Sequence, residues 1–293
     1  MKRKKIFVSY GTLFIIFLNL IFVLAEISIG FTINSMSLTT DALHNGIDVL
    51  SLIFSAFALF LINKKPTEEH TYGFYNVSIM SAFFNSFLLI CGLIVIIVNS
   101  LIRLFSQNYG ISSASGDTIS FLSFISIIVN GITALVLKNR KELNGKSNFW
   151  HFFSDVLISA IVLVSGLIIA FSGISLLDPL SSIFASSLVI FKTRNIFFKS
   201  YRLITNGVPK KINTKKVENY LLSFPCIDKI NDFHIWPLST TEIALSAHLE
   251  TKNLKDYTSL IDRATKGLRN KFGIDHVTIQ LETYNKSHQE SKI

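Results

Sequence analysis

Residues 37–48 read Ser37-Leu38-Thr39-Thr40-Asp41-Ala42-Leu43-His44-Asn45-Gly46-Ile47-Asp48, and they lead straight into an apolar run that lasts to Ile62. The window 40–62 is long enough to cross ~30 Å of hydrocarbon as a helix, for which ~20 mostly apolar residues suffice. Three ionisable groups inside such a window demand a reason, because each costs about 2.5–3.5 kcal/mol at mid-bilayer on insertion scales. Asp41, His44 and Asp48 stand at i, i+3 and i+7. Helical geometry places them on one stripe of the segment.

Further windows of the same kind lie at about 6–30, 77–104, 118–138, 149–172 and 176–196, which makes six spans. The composition agrees. Of the 293 residues, 49% are hydrophobic and 16% charged, and 26 are Phe. An ordinary soluble domain carries ~25% charged residues. So apolar a chain is neither a plain soluble domain nor a disordered one. Lys2 to Lys5 before the first window imitate a secretory signal, but the apolar region runs past Ala25, beyond the ~7–15 residues of a signal core. An uncleaved first span is the expectation.

The net charge of +9 could point to nucleic acid, yet the cations follow the ends of the spans. Lys2, Arg3, Lys4 and Lys5 precede the first; Lys64 and Lys65 follow the second; Lys138, Arg140, Lys141 and Lys146 separate the fourth from the fifth; Lys192, Arg194, Lys199 and Arg202 close the sixth. The other connections hold Arg103 and little else. Cytoplasmic loops attract Lys and Arg, so both termini are expected on the cytoplasmic side of a cell membrane, with no role for nucleic acid.

After about residue 205 the composition becomes that of a soluble domain. Val217, Tyr220, Leu221 and Phe224 fall at helical spacing before Pro225, and residues 227–236 follow as an extended segment. Ile243, Leu245, Ala247 and Leu249 alternate as a half-buried strand requires. Residues 254–272 are amphipathic and end at Gly273, and 276–282 alternate again. The order α, β, β, α, β predicts a small α+β sandwich. The expected division is a transmembrane domain over 1–205, a cytoplasmic domain over 206–284 and a frayed tail over 285–293.

The fifth span repeats the chemistry of the second, with His151 and Asp155 four residues apart. Two helices that each contribute a His and an Asp can converge two nitrogens and two carboxylate oxygens on one ion. Imidazole with carboxylate and no thiolate suits zinc or a similar first-row divalent cation better than Cu(I), magnesium or calcium. The plainer alternative is polar glue between helices. Cys91 and Cys226 have no metal-type spacing. A histidine ligates only when neutral, and it ordinarily titrates near pH ~6.5, so protons compete with metal at such a site.

Taken together these segments resemble the cation diffusion facilitator family. The resemblance runs from about residue 26 to 283 and rests on Glu26 to Gly30 with Asn34 and Ser35, residues 37–48, Thr71-Tyr72-Gly73, His151-Phe152-Phe153-Ser154-Asp155 and Asp178-Pro179-Leu180. In the soluble part it rests on residues 232–236, Ser246-Ala247-His248-Leu249 and residues 278–282. It implies a homodimeric six-helix exporter that exchanges a cytoplasmic divalent metal, zinc or else cadmium or cobalt, for protons, with a ferredoxin-like cytoplasmic domain. It also implies His44, Asp48, His151 and Asp155 as metal ligands, and Asp41 as a helix-start group, a support to the ligands, or a proton relay.

The pattern departs from the family in places. The loop after the second span keeps His70 but has Phe74 and Thr67 at two positions where family members often ligate metal, with Glu68 and Glu69 nearby; Asn76 and Ser78 replace an Arg and a Glu. In the soluble domain His248 and Glu282 match ligand positions while Asn231 does not, which leaves a metal site there open. His234 reads as a sheet residue beside Trp236, and His276 and His288 as solvent-facing. Two rivals to an antiporter are a cation channel with a regulatory domain and a non-transporting metal sensor; an enzyme is not expected.

Overall fold

The computed structural model describes residues 10–109, 113–138, 145–251 and 257–283. Lys2 to Lys5, Arg140, Lys141, His288 and the tail from 285 therefore lie outside the described residues. Six long helices come first: α1 (Tyr10–Thr32), α2 (Met36–Ile62), α3 (Val77–Ser106), α4 (Ser113–Lys138), α5 (Gly145–Ser172) and α6 (Leu177–Ile204). At 1.5 Å per residue, 23 to 30 residues make each of them about 35–45 Å long. Then follow α7 (Thr214–Leu222), β1 (Lys229–Pro237), β2 (Ile243–Thr251), α8 (Tyr257–Phe272) and β3 (His276–Thr283). The chain forms two compact units: residues up to Phe60 with Ser81–Phe197, and Leu61–Met80 with residues from Phe198 onward.

In the helical unit the polar and apolar sides are reversed relative to a soluble protein. Phe84, Leu88, Val95, Phe121, Val164 and Phe184 face outward, while Ser123, Ser126, Asn130, Ser159, Ser182 and Ser186 are buried. Such a surface suits lipid, in which polar groups must find partners inside the bundle. By length and composition, α3 and the parts Ser115–Leu135 of α4 and Asp155–Ser172 of α5 are sufficient to cross a membrane. α1 is apolar over Phe17–Thr32. α2 and α6 give part of their length to ionisable residues.

Two local devices set the helices in place. Asp178, in the first turn of α6, caps α2 from outside: its carboxylate accepts from Met36 N at 2.7 Å, Ser37 N at 3.1 Å, and the Ser35 and Ser37 hydroxyls at 2.6 and 2.5 Å. A carboxylate at a helix N-terminus satisfies amides that have no partner within the helix and opposes the helix dipole. Thr40 and Ser182 share a hydrogen bond of 2.8 Å one turn deeper, and Ser100 of α3 donates to Ser182 at 3.1 Å. The second device is close approach. A Cβ on Gly116 of α4 would stand 2.4 Å from Ala170 N of α5, and one on Gly166 of α5 would stand 2.7 Å from Ser120 Oγ of α4. The two helices pack at that distance because both residues are glycine.

The other unit is the expected α+β sandwich. Its sheet has the order β1-β2-β3, with β1 and β2 antiparallel (Ile230 opposite Leu249) and β2 and β3 parallel (Leu245 opposite Val277). The parallel pair requires a crossover, which α8 supplies. Leu245, Ala247 and Leu249 of β2 meet Val217 and Leu221 of α7 and Leu260, Ala264 and Leu268 of α8 in one core. Asn213 opens α7 by accepting from Lys216 N at 3.0 Å, and Gly273 closes α8 at φ +67°. Residues 61–80 belong to this unit. Ser78 Oγ accepts from Thr240 N at 3.3 Å, and the Tyr72 ring meets the exposed His276 ring edge-on at 5.6 Å.

Candidate metal centre

The capped start of α2 places Asp41, His44 and Asp48 along the inner face of that helix, and α5 presents Asp155 to the same point. His44 is 2% exposed, Asp155 1% and Asp48 16%. His44 Nε2 lies 2.9 Å from Asp155 Oδ1 and 3.6 Å from Asp48 Oδ2. One donor atom from each of the three lies within 4.8 Å of the others. Ligands held ~2.0–2.2 Å from a tetrahedral zinc are about 3.3–3.6 Å apart. The two separations from His44 Nε2, 3.6 and 2.9 Å, are within a few tenths of an ångström of that spacing, and all three donors stay within 4.8 Å of one another. His151 is on α5 one turn before Asp155, and its side chain lies outside the described residues.

Asp41 is not among these donors. It is fully buried, and Ser159 Oγ donates to its Oδ1 at 3.0 Å. From there a polar string runs through the bundle. Ser159 bonds Ser126 at 3.0 Å, and Asn45 Nδ2 reaches Ser126 Oγ at 3.2 Å and Glu26 Oε2 at 3.4 Å. Asn130 Nδ2 donates to Asn45 Oδ1 at 3.1 Å. The polar residues thus divide into two groups: Asp41, Asn45 and their neighbours bond across helices, while His44, Asp48 and Asp155 bring donor atoms close together.

Lys192, one of the cations near the end of the sixth span, also reaches the donor cluster. Its Nζ lies 2.6 Å from Asp155 Oδ1. The signal available in the sequence is its register: Ser182, Ala185, Val189 and Thr193 mark the buried stripe of α6, and Lys192 borders it, whereas Arg194, Lys199 and Arg202 are exposed.

The two remaining candidate sites are less complete. In the loop between α2 and α3, His70 stacks on Phe74 with ring centroids 4.6 Å apart, so the aromatic that replaces a ligand covers the histidine face. In the sheet, His248 Nδ1 is 2.8 Å from Glu282 Oε1 across β2 and β3. Asp232 lies 3.6 Å from His248 Nε2 and also pairs with His234 at 2.5 Å. Asp232 takes φ +41° where the β1–β2 register shifts between Asn231 and His234. His234, two residues on, shares the face of Asp232 by strand alternation, while the bulge brings the Asp232 carboxylate to His248, whose register partner is Asn231.

Two family profiles match the chain. The profile of the cation efflux transmembrane domain matches residues 12–205, and that of the cation efflux protein cytoplasmic domain matches 209–284. A proton-coupled zinc antiporter of Mus musculus is 28% identical, over 97% of this chain and 78% of its own length. A cadmium, cobalt and zinc/H(+)-K(+) antiporter of Bacillus subtilis is 29% identical over 89% of this chain and 85% of its own. A metal cation efflux system protein of Cupriavidus metallidurans is 27% identical over 89% and 82%. With the six helices, the buried His and Asp donors and the α+β domain in the same order along the chain, this protein belongs to the cation efflux, or cation diffusion facilitator, family.

Proposed function

We propose that the protein is a proton-coupled antiporter that exports a divalent transition metal, zinc before cadmium or cobalt, from the cytoplasm. The observation that carries this reading is the convergence of His44, Asp48 and Asp155 inside a lipid-facing bundle. His151 completes the ligand set in this proposal, and the names of the relatives support metal and proton as the exchanged ions. Asp41 supports the site through Ser159 and Asn45 or passes protons to it. The ion is cargo, so the donors have to bind it and release it. Histidine permits this because its nitrogen holds either a proton or the metal. When the site opens outward, arriving protons displace the ion; when it opens inward, cytoplasmic metal expels the protons.

Residues 1–205 carry out transport in this scheme, and 206–284 form a cytoplasmic domain that joins two copies in a homodimer, leaving 285–293 as a tail. Both termini face the cytoplasm. The chemistry is transport and not catalysis, since the donors complete a coordination shell around the ion. His248 and Glu282 form a cytoplasmic pair that can hold metal with Asp232.

Proteoliposomes loaded with a zinc dye and given a proton gradient test the proposal. The wild type takes up zinc in proportion to the gradient, and Asp48→Ala and Asp155→Ala each lower the initial rate by at least about 100-fold, as expected when a ligand is removed outright. Uptake indifferent to the gradient would remove proton coupling, and uptake that survives both substitutions would remove the site.

A further inference from the structure

A cation already stands at the metal centre, and it belongs to the chain. Lys192 Nζ lies 2.6 Å from Asp155 Oδ1, the same oxygen that faces His44 Nε2 at 2.9 Å. Asp155 is almost wholly buried and Lys192 is 29% exposed, so one partner is fixed inside the bundle and the other has a route out. An ammonium on a four-carbon stem is a compact charge that can withdraw by rotating its own side chain. A buried carboxylate without a counter-charge is costly, and the lysine offsets that cost whenever no metal is bound.

We propose that Lys192 is a tethered counter-cation that holds Asp155 while the transport site is empty and must be displaced before a divalent ion can take that oxygen. The proposal rests on the reading of His44, Asp48 and Asp155 as the transport site. An ammonium and a divalent ion on Oδ1 would be like charges only about 4 Å apart beside a carboxylate that is almost wholly buried, so each weakens the other's hold on that oxygen and the two compete for it. The lysine therefore lowers apparent metal affinity by the fraction of time it holds the carboxylate. It also sorts ions. Magnesium and calcium are drawn by oxygen and charge, which the ammonium has already partly satisfied, whereas zinc gains from the His44 nitrogen as well. The lysine is thus a positioning and specificity residue that acts through Asp155.

The test is metal binding to purified full-length protein, with zinc and magnesium titrated against a fluorescent chelator in a His248→Ala background that removes a donor of the cytoplasmic domain. Lys192→Met and Lys192→Gln should tighten zinc binding by about tenfold, tighten magnesium binding more, and lower both KM and kcat for zinc flux as release slows. Lys192→Arg, which keeps the charge and offers a carboxylate a bidentate fork, should not tighten zinc binding. Damage to packing would instead weaken binding, so a gain in affinity separates the two causes, and the Gln variant decides if the Met variant fails to fold. Unchanged or weaker binding in both neutral variants, or equal tightening in the Arg variant, overturns the proposal. Parental zinc affinity in Asp155→Ala overturns the transport-site reading, and the role of the lysine with it, a failure distinct from the other two.

Discussion

Asp155 Oδ1 is claimed by three groups: an imidazole, an ammonium and, in the proposed cycle, a metal ion. In the proposed site, what decides among cargo ions is the nitrogen. His44→Asp should therefore weaken zinc binding by more than about tenfold and turn preference toward manganese, which tolerates oxygen donors; flux competition between the two metals reads this directly. The His44–Asp48 and His151–Asp155 spacings were legible in the sequence because a helix carries i and i+4 to one face whatever surrounds it. Lys192 was not, because its partner depends on how α6 is rotated against α5, which no spacing within α6 reveals. Asp232 escaped for a related reason: a bulge in the pairing with β2 brings it to His248, whose register partner is Asn231.

At the scale of elements, the apolar windows located all six helices, and several helices run past the apolar stretch within them. α2 begins at Met36 and not near 40, because Asp178 supplies its first amides with acceptors across the bundle. α6 continues to Ile204, well past the apolar window that ends near 196. Helix ends follow from caps and tertiary partners as much as from composition. Asp178→Ala should cost at least about 2 kcal/mol, since it removes a cap and leaves buried donors without acceptors. A lowered thermal midpoint in fluorescence-detected size exclusion, partly restored by Asp178→Asn, is the expected result.

For the whole molecule, alternation with Pro225 and Gly273 made the α+β domain readable, and its strand order adds only the parallel pairing of β2 with β3. The grouping of residues 61–80 with that domain was not readable, because it depends on contacts such as Ser78 with Thr240 that join distant parts of the chain. Orientation can be checked with single cysteines in a Cys91→Ser, Cys226→Ser background. In sealed right-side-out vesicles an impermeant thiol reagent should label Ile174→Cys at once and Lys210→Cys only after permeabilisation; both side chains are exposed. The reverse pattern would invert the proposed topology.

Transport as proposed requires one ion held between α2 and α5. Zinc K-edge absorption of protein carrying one zinc per protomer tests this directly, in the His248→Ala background. A shell of four nitrogen and oxygen ligands at about 2.0–2.1 Å, lost in Asp48→Ala and Asp155→Ala, is the predicted result. A sulfur ligand, a six-oxygen shell, or a spectrum unchanged by both substitutions would contradict it.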